Sequence, residues 1–330
     1  MCGSSGSRRT CWTCCPRRMR CCRPATRRRR QSAILFTGCG AIYDRADKRC
    51  HMPRHFLEGH GLQMIRRISL ATDLSQEGAP AFRAALALAV ACKSRLDILH
   101  VSSRGEQPAW ENFPQVRSTL EAWGLLPPGS RQEDVEPLLG VGITKVTIHG
   151  RDPASGIADF VAKHTPDLLV AASHGRAETG WWSGGSVAME AMRLADLPSL
   201  LFGPLARDMA DPATGALALR SVLMPVTDTP PPRAALGRLH LLLDPRPLDL
   251  HPVHVAASAR TEDEVRAVFP EAARLEGEVV PALLQAADRV APDLIAMPTA
   301  RHKGLLGALR GSTTEKVLRA APCAVLALPS

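Results

Sequence analysis

Gly175 and Gly185 stand ten residues apart in the stretch "HGRAETGWWSGGS" (174–186), and Ser186 follows the second directly. A glycine lets the chain turn sharply. A Gly-Ser pair that opens a helix offers unpaired amide hydrogens, the positive end of the helix dipole and a hydroxyl to one negative group. A phosphate is the natural occupant, and the nine residues between the glycines, with Trp181 and Trp182 among them, would lie over it as a flap. The acidic side chain expected across from it is Asp73, at the end of "RISLATD" (67–73). The plain alternative is a turn glycine followed by a serine that only caps a helix.

Other chemistry-bearing residues fit their patterns less well. His251 and His254 are three apart on an expected strand, so they project from opposite faces and do not share a metal. Ser173 beside His174 lacks the strained GxSxG elbow and the oriented base that acyl transfer requires. Cys11 and Cys14 form a CxxC pair that would suit zinc together with His51, His55 or His60, yet no second spaced pair follows. His100 reads as a satisfied, partly buried histidine. Cys92 and Cys323 read as reduced core residues, which suits a cytoplasmic body.

The elements that must position Asp73 and the glycines alternate along the chain. "RISLATD" (67–73), "LDILHV" (96–101), "KVTIHG" (145–150), "DLLVAAS" (167–173) and "SLLF" (199–202) read as strands. Helices are expected at 77–94, around 114–123, at 153–164 and at 186–195. This alternation argues for a parallel sheet covered on both faces. Ligands of such sheets sit beyond the carboxyl ends of the strands, where the strand order reverses.

The second half repeats the first. "LMPVTD" ending at Asp228 matches "ISLATD" ending at Asp73, and "PDLIAMPTAR" from Pro292 matches "PDLLVAASHG" from Pro166. Gly311, Ser312 and Arg319 then follow Pro292 at the spacing at which Gly185, Ser186 and Arg193 follow Pro166. The second copy is shorter by about one element, and "ADPATGALALR" (210–220) reads as the linker.

Composition adds exclusions. The net charge of +9 is concentrated at the start: residues 1–63 hold 14 of the 41 basic side chains and only Asp44, Asp47 and Glu58 as acids. The remainder, with 27 basic and 29 acidic side chains, lacks the basic face that nucleic acid would need. No apolar run approaches the roughly 20 residues of a membrane-spanning helix. Eight of the ten cysteines also lie in 1–63, without hydrophobic periodicity. That stretch is expected to be disordered or to lie upstream of the true start, with Met64 the preferred beginning. The run "SAILFTGC" ending at Cys39 is short, and its lead too long, for a secretory signal.

At these residues the chain resembles the universal stress protein family in a tandem two-domain form. The family's nucleotide-binding members carry glycine, two residues, glycine, nine residues, then glycine with serine or threonine. Here Ala172 stands at the first glycine position, and Gly175, Gly185 and Ser186 fill the rest. The resemblance covers nearly all of 64–330. It implies an α/β fold of two doubly wound, five-stranded parallel-sheet domains, Rossmann-like and adenine nucleotide alpha hydrolase-like, the second shortened. It divides the chain into a first domain at 64–208, a linker at 209–220 and a degenerate second domain at 221–330.

By the same resemblance Asp73 contacts adenosine, Val101 offers backbone contacts to adenine, and Ala172, Gly175, Gly185, Ser186 and Val187 cradle phosphates. The implied ligand is ATP or a related adenine nucleotide, with Mg as an optional companion, and none is required for folding. The second copy reads Pro298, Thr299, Ala300, Arg301, nine residues, Gly311, Ser312. Both leading glycines are gone and Pro298 has no N–H, so that domain is expected to support its neighbour by packing. A rival idea has Arg301 and Lys303 supplying charge to an anion.

Two function classes follow. One is a nucleotide-responsive stress or signalling module, cytoplasmic, whose two domains pair as a pseudo-dimer and which is free to form a homodimer. The alternative is a nucleotide-independent interaction or scaffold protein. A hydrolase needs a positioned base or metal ligand beside the leaving phosphate. Only Asp73 offers itself, so no catalytic residue is assigned and at most slow ATP hydrolysis is expected.

Overall fold

Short apolar runs become strands here, and longer runs rich in alanine and leucine become helices. The computed structural model describes residues 65–173, 187–227, 232–243, 248–255, 259–299 and 312–329, together with three short strands before them. Those three, β1 (Ile34–Phe36), β2 (Ile42–Asp44) and β3 (Arg49–His51), form a small antiparallel sheet. The cysteine and histidine zinc reading of the leader falls largely outside the described residues.

The first half then contributes β4 (Arg67–Ala71), α1 (Ala79–Cys92), β5 (Arg95–Ser102), α2 (Val116–Ala122), α3 (Val135–Leu139), β6 (Ile143–His149), α4 (Pro153–His164), β7 (Leu168–Ala172), α5 (Val187–Ala195) and β8 (Ser199–Phe202). The second half contributes β9 (Ser221–Pro225), α6 (Pro232–Leu243), β10 (Asp249–Val255), α7 (Ala259–Val268), β11 (Ala273–Leu275), α8 (Val279–Val290), β12 (Leu294–Thr299), α9 (Thr313–Ala320) and β13 (Ala324–Pro329).

Local chemistry explains several of these boundaries. Alanine, the best helix former, fills α1, and Lys93 ends it in the left-handed region at φ 52°. Asp152 starts α4 by accepting a hydrogen bond from the Ser155 amide, and Pro153 occupies the first turn, where a missing N–H costs nothing.

All ten strands from β4 onward lie in one sheet, in the order β11-β10-β9-β12-β13-β8-β7-β4-β5-β6. Each half is parallel throughout and has the same internal order, so the second half keeps all five strands. Its shortening falls between the second and third strands: residues 256–272 connect β10 to β11, where 103–142 connect β5 to β6.

The halves meet antiparallel. Val325 pairs with Leu201, Leu326 with Leu200 and Ala327 with Ser199. The parallel registers make Leu200 and Leu326 equivalent residues, because each lies opposite the third residue of the strand before it, Val170 or Ala296. A pair of equivalent residues facing each other places a local two-fold axis between them, as in an isologous dimer interface.

Helices cover both faces. On one, α1 and α2 share a continuous core with α6 and α7, including Phe82, Leu120, Leu239 and Phe269. On the other, α5, α8 and α9 share a core containing Met192, Leu283 and Val317, beside a smaller cluster around α4. Both large clusters cross the junction, so each half buries apolar surface of the other.

Gly203, just past β8, is held against α9: a Cβ there would lie 1.9 Å from the Leu318 carbonyl oxygen. The connection onward is fastened to the first half. Arg83 forms a forked ion pair with Asp208 (2.7 Å), and the Trp123 indole N–H donates to the Pro212 carbonyl (3.1 Å). The same ring covers Gly215, whose φ is +69°.

Candidate functional site

In the first half the strand order reverses between β4 and β7, so their carboxyl ends diverge to open a crevice. Ala71 lies opposite Leu99 of β5 on one side and Ala171 of β7 on the other. Continuing each strand brings Asp73, Val101 and Ala172 to this one edge. Val187 begins the helix that leaves it. All four are half-buried, as lining residues of a crevice would be.

The Asp73 turn is held by its neighbours. Asp73 Oδ1 accepts from the Ser75 amide (3.0 Å) and the Ser75 hydroxyl (2.6 Å), and Thr72 Oγ1 accepts from the Leu74 amide (3.0 Å). Between them Leu74, buried, adopts φ +65°, a left-handed conformation that a branched side chain rarely takes. Strain of this kind persists only where surrounding structure fixes it. The carboxylate is thereby set at the strand end rather than left to sweep through solvent.

His100 supports the same turn. Its Nδ1–H donates to the Thr72 carbonyl at 3.0 Å, and its ring meets Trp110 edge to face at 6.1 Å. This is the satisfied histidine that the sequence suggests. Val101 packs beside α4, where Gly156 keeps the helix close: a Cβ on Gly156 would meet Ile148 Cγ2 at 3.3 Å and Val101 at 3.5 Å.

Gly175, Gly185 and Ser186, with His174, Trp181 and Trp182, lie outside the described residues, so the phosphate-facing part of the site stands as a sequence reading. Its counterpart in the second half is partly described. Ser312 precedes α9 and its Oγ accepts from the Glu315 amide (3.2 Å), the capping role that the plain alternative gives Ser186 in the first copy. Arg319 binds Glu315, and Arg193 binds Glu190, so each equivalent arginine is engaged by a carboxylate of its own helix.

The second crevice differs in chemistry. Ile68 pairs with Leu168, and Val222 pairs with Leu294. Leu168 and Leu294 each follow a Pro-Asp pair, so Ile68 and Val222 are equivalent, and the residue in register with Asp73 is Thr227. The sequence match of Asp73 with Asp228 is therefore one position out, and Asp228 itself is outside the described residues. Pro298 takes the place of Ala172. His254 repeats the role of His100, donating from Nδ1 to the Val226 carbonyl (2.9 Å). Arg301, Lys303 and Gly311 lie outside the described residues.

Two residues escaped the sequence reading. Asp167 Oδ2 accepts from the Arg66 and Arg67 amides, at 2.7 and 3.0 Å, and Asp293 Oδ2 from the Arg220 and Ser221 amides, at 2.8 and 2.9 Å. Each thus fixes the entrance of the first strand of its half. The recurring "PD" was the available signal.

Comparison with known proteins follows the same lines. The chain matches the universal stress protein family over residues 64–202 and 255–329. None of the curated proteins matches it. Among solved structures it is similar to a universal stress protein from Archaeoglobus fulgidus DSM 4304, at 18% identity and a TM-score of 0.56, over 80% of this chain and 96% of that one. A functionally unknown protein from Pseudomonas aeruginosa PAO1 is similar at 18% identity and a TM-score of 0.54, over 81% of this chain and 94% of that one. At such identities the likeness is one of fold.

Proposed function

This chain belongs to the universal stress protein family, and we propose that it is a stress-response or signalling module whose first half binds ATP or a related adenine nucleotide. The observation that carries the reading is the convergence of Asp73, Val101, Ala172 and Val187 on one carboxyl edge, where the order of strands reverses. In this reading Asp73 receives hydroxyls of the sugar, Val101 borders the base, and Gly175, Gly185 and Ser186 present amides to the phosphates. Mg, if it accompanies the nucleotide, would bind phosphate oxygens. The second half, with Thr227 and Pro298 at the matching places, holds the first in shape and binds no nucleotide.

The two halves act as an intramolecular pseudo-dimer, with further homodimerisation open to the assembly. A cytoplasmic location belongs to the reading, and the buried thiol of Cys323 accords with it. Among the described residues, no helix is long and apolar enough to cross a membrane. The rival reading, a nucleotide-independent scaffold, draws support from the cores shared across the junction.

Calorimetric titration of the full chain with ATP decides between them. Saturable binding by the parent and its loss in Gly185→Arg is the expected result. A silent parent would favour the scaffold, and undiminished binding by the variant would remove the phosphate cradle from the account.

A further inference from the structure

A groove of about 570 Å³ runs along the outer edge of the first half, apart from the crevice. Ile143, Thr144 and Lys145 all line it. Successive strand residues face opposite ways, so three in a row can line one groove only where it follows the unpaired edge of β6, the outermost strand. The opposite wall is Gln115, Val116 and Arg117, at the start of α2. Gln132 closes it from the same long connection. That connection has no counterpart of similar length in the second half, so the groove belongs to the first half alone.

Two cations are fixed in it by neutral partners. Gln115 donates from Nε2 to the Trp110 and Phe113 carbonyls, at 2.8 and 2.7 Å, which aims its Oε1 at Lys145 Nζ, 3.1 Å away. The same ammonium lies 5.2 Å from the centre of the Trp110 ring. Arg117 is held by the Ser130 carbonyl (3.1 Å). Among the described residues neither cation is within ion-pair distance of a carboxylate. Glu121, four residues beyond Arg117 on α2, accepts from the Gly129 amide, and beside Gln132 Glu133 pairs with Arg131 while Asp134 accepts from the Arg131 amide. Among the described residues no acidic side chain lines the groove, while Val116 and Ile143 give it an apolar lining.

We propose that this groove binds a small organic anion, a carboxylate or phosphate group carried on an apolar body. Both cations are in place before a ligand arrives, so little side-chain ordering opposes binding. The volume lies within the roughly 300–1,000 Å³ of small-molecule sites. Partial withdrawal from water lowers the Lys145 pKa from its ordinary value, a penalty that a bound anion would offset. The site is at the amino-terminal end of β6, whereas the nucleotide reading concerns the carboxyl edge, so either can fail without the other.

The test follows the Ile143 methyl group by NMR in the full chain, with Ile143→Val for assignment. Phenyl phosphate and phenylacetate are titrated separately, with benzyl alcohol as the neutral control. The expected result is a saturable displacement by at least one anion, weakened about tenfold or more in Arg117→Ala/Lys145→Ala. The thermal midpoint should stay unchanged, since both side chains are exposed. Response to phosphate alone, or to carboxylate alone, supports the site and names its ligand group. The proposal is overturned by no saturable displacement with either anion, or by an equal response in the double variant or to benzyl alcohol.

Discussion

Asp73 can be altered without loosening the turn that carries it. An asparagine at that position keeps the oxygen that accepts from Ser75, so Asp73→Asn separates the negative charge from the fold. Hydrogen bonds to charged groups are worth about 1.5–3 kcal/mol, so ATP affinity should fall roughly ten- to hundredfold with an unchanged melting midpoint. Cys323 reports on the core instead. Burial pushes its thiol from an ordinary 9.0 up to about 12. Between those values the unfolded chain releases a proton that the folded chain keeps. This contribution to stability is therefore complete below pH 9 and lost as pH rises toward 12, by up to about 1.4 kcal/mol per pH unit. Urea unfolding across that interval should show a steeper decline in the parent than in Cys323→Ala, and parallel declines would refute it.

Strands and helices were legible where their own residues decide them. Asp152 and Pro153 mark the start of α4, and Leu200, Leu201 and Phe202 run apolar without alternation because β8 is buried on both faces. Replacing the cap, Asp152→Ala, should cost about 1 kcal/mol of stability in denaturant titration. The start of β6 was less legible, since an edge strand that is half-buried along most of its length lacks a clean alternation. The register of β9 was invisible for another reason: a "TD" match can slide by one residue, and only pairing with β12 fixes it. Sequence likewise gave no sign that Gly203 is required by α9. Gly203→Ala must displace the Leu318 carbonyl, and overpacking of this kind lowers stability by about 1–3 kcal/mol, measurable as a lowered thermal midpoint.

The whole molecule is organised by the axis between Leu200 and Leu326. An isologous junction implies that one half presents an edge able to pair with a second copy of itself. Residues 65–208 expressed alone should therefore self-associate through β8, as sedimentation would show, and a monomer at all concentrations would contradict the symmetry argument. Repetition was readable in the sequence as paired motifs, but the antiparallel seam was not, because nothing in "SLLF" or "AVLALP" specifies which edge it will meet. Within this symmetric frame the two crevices are chemically unequal, one with Asp73 and Ala172, the other with Thr227 and Pro298. Equilibrium dialysis of the full chain against labelled ATP tests that asymmetry most directly. The account predicts one nucleotide per chain, lost in Gly185→Arg and weakened in Asp73→Asn. Two nucleotides per chain, or none, would contradict it.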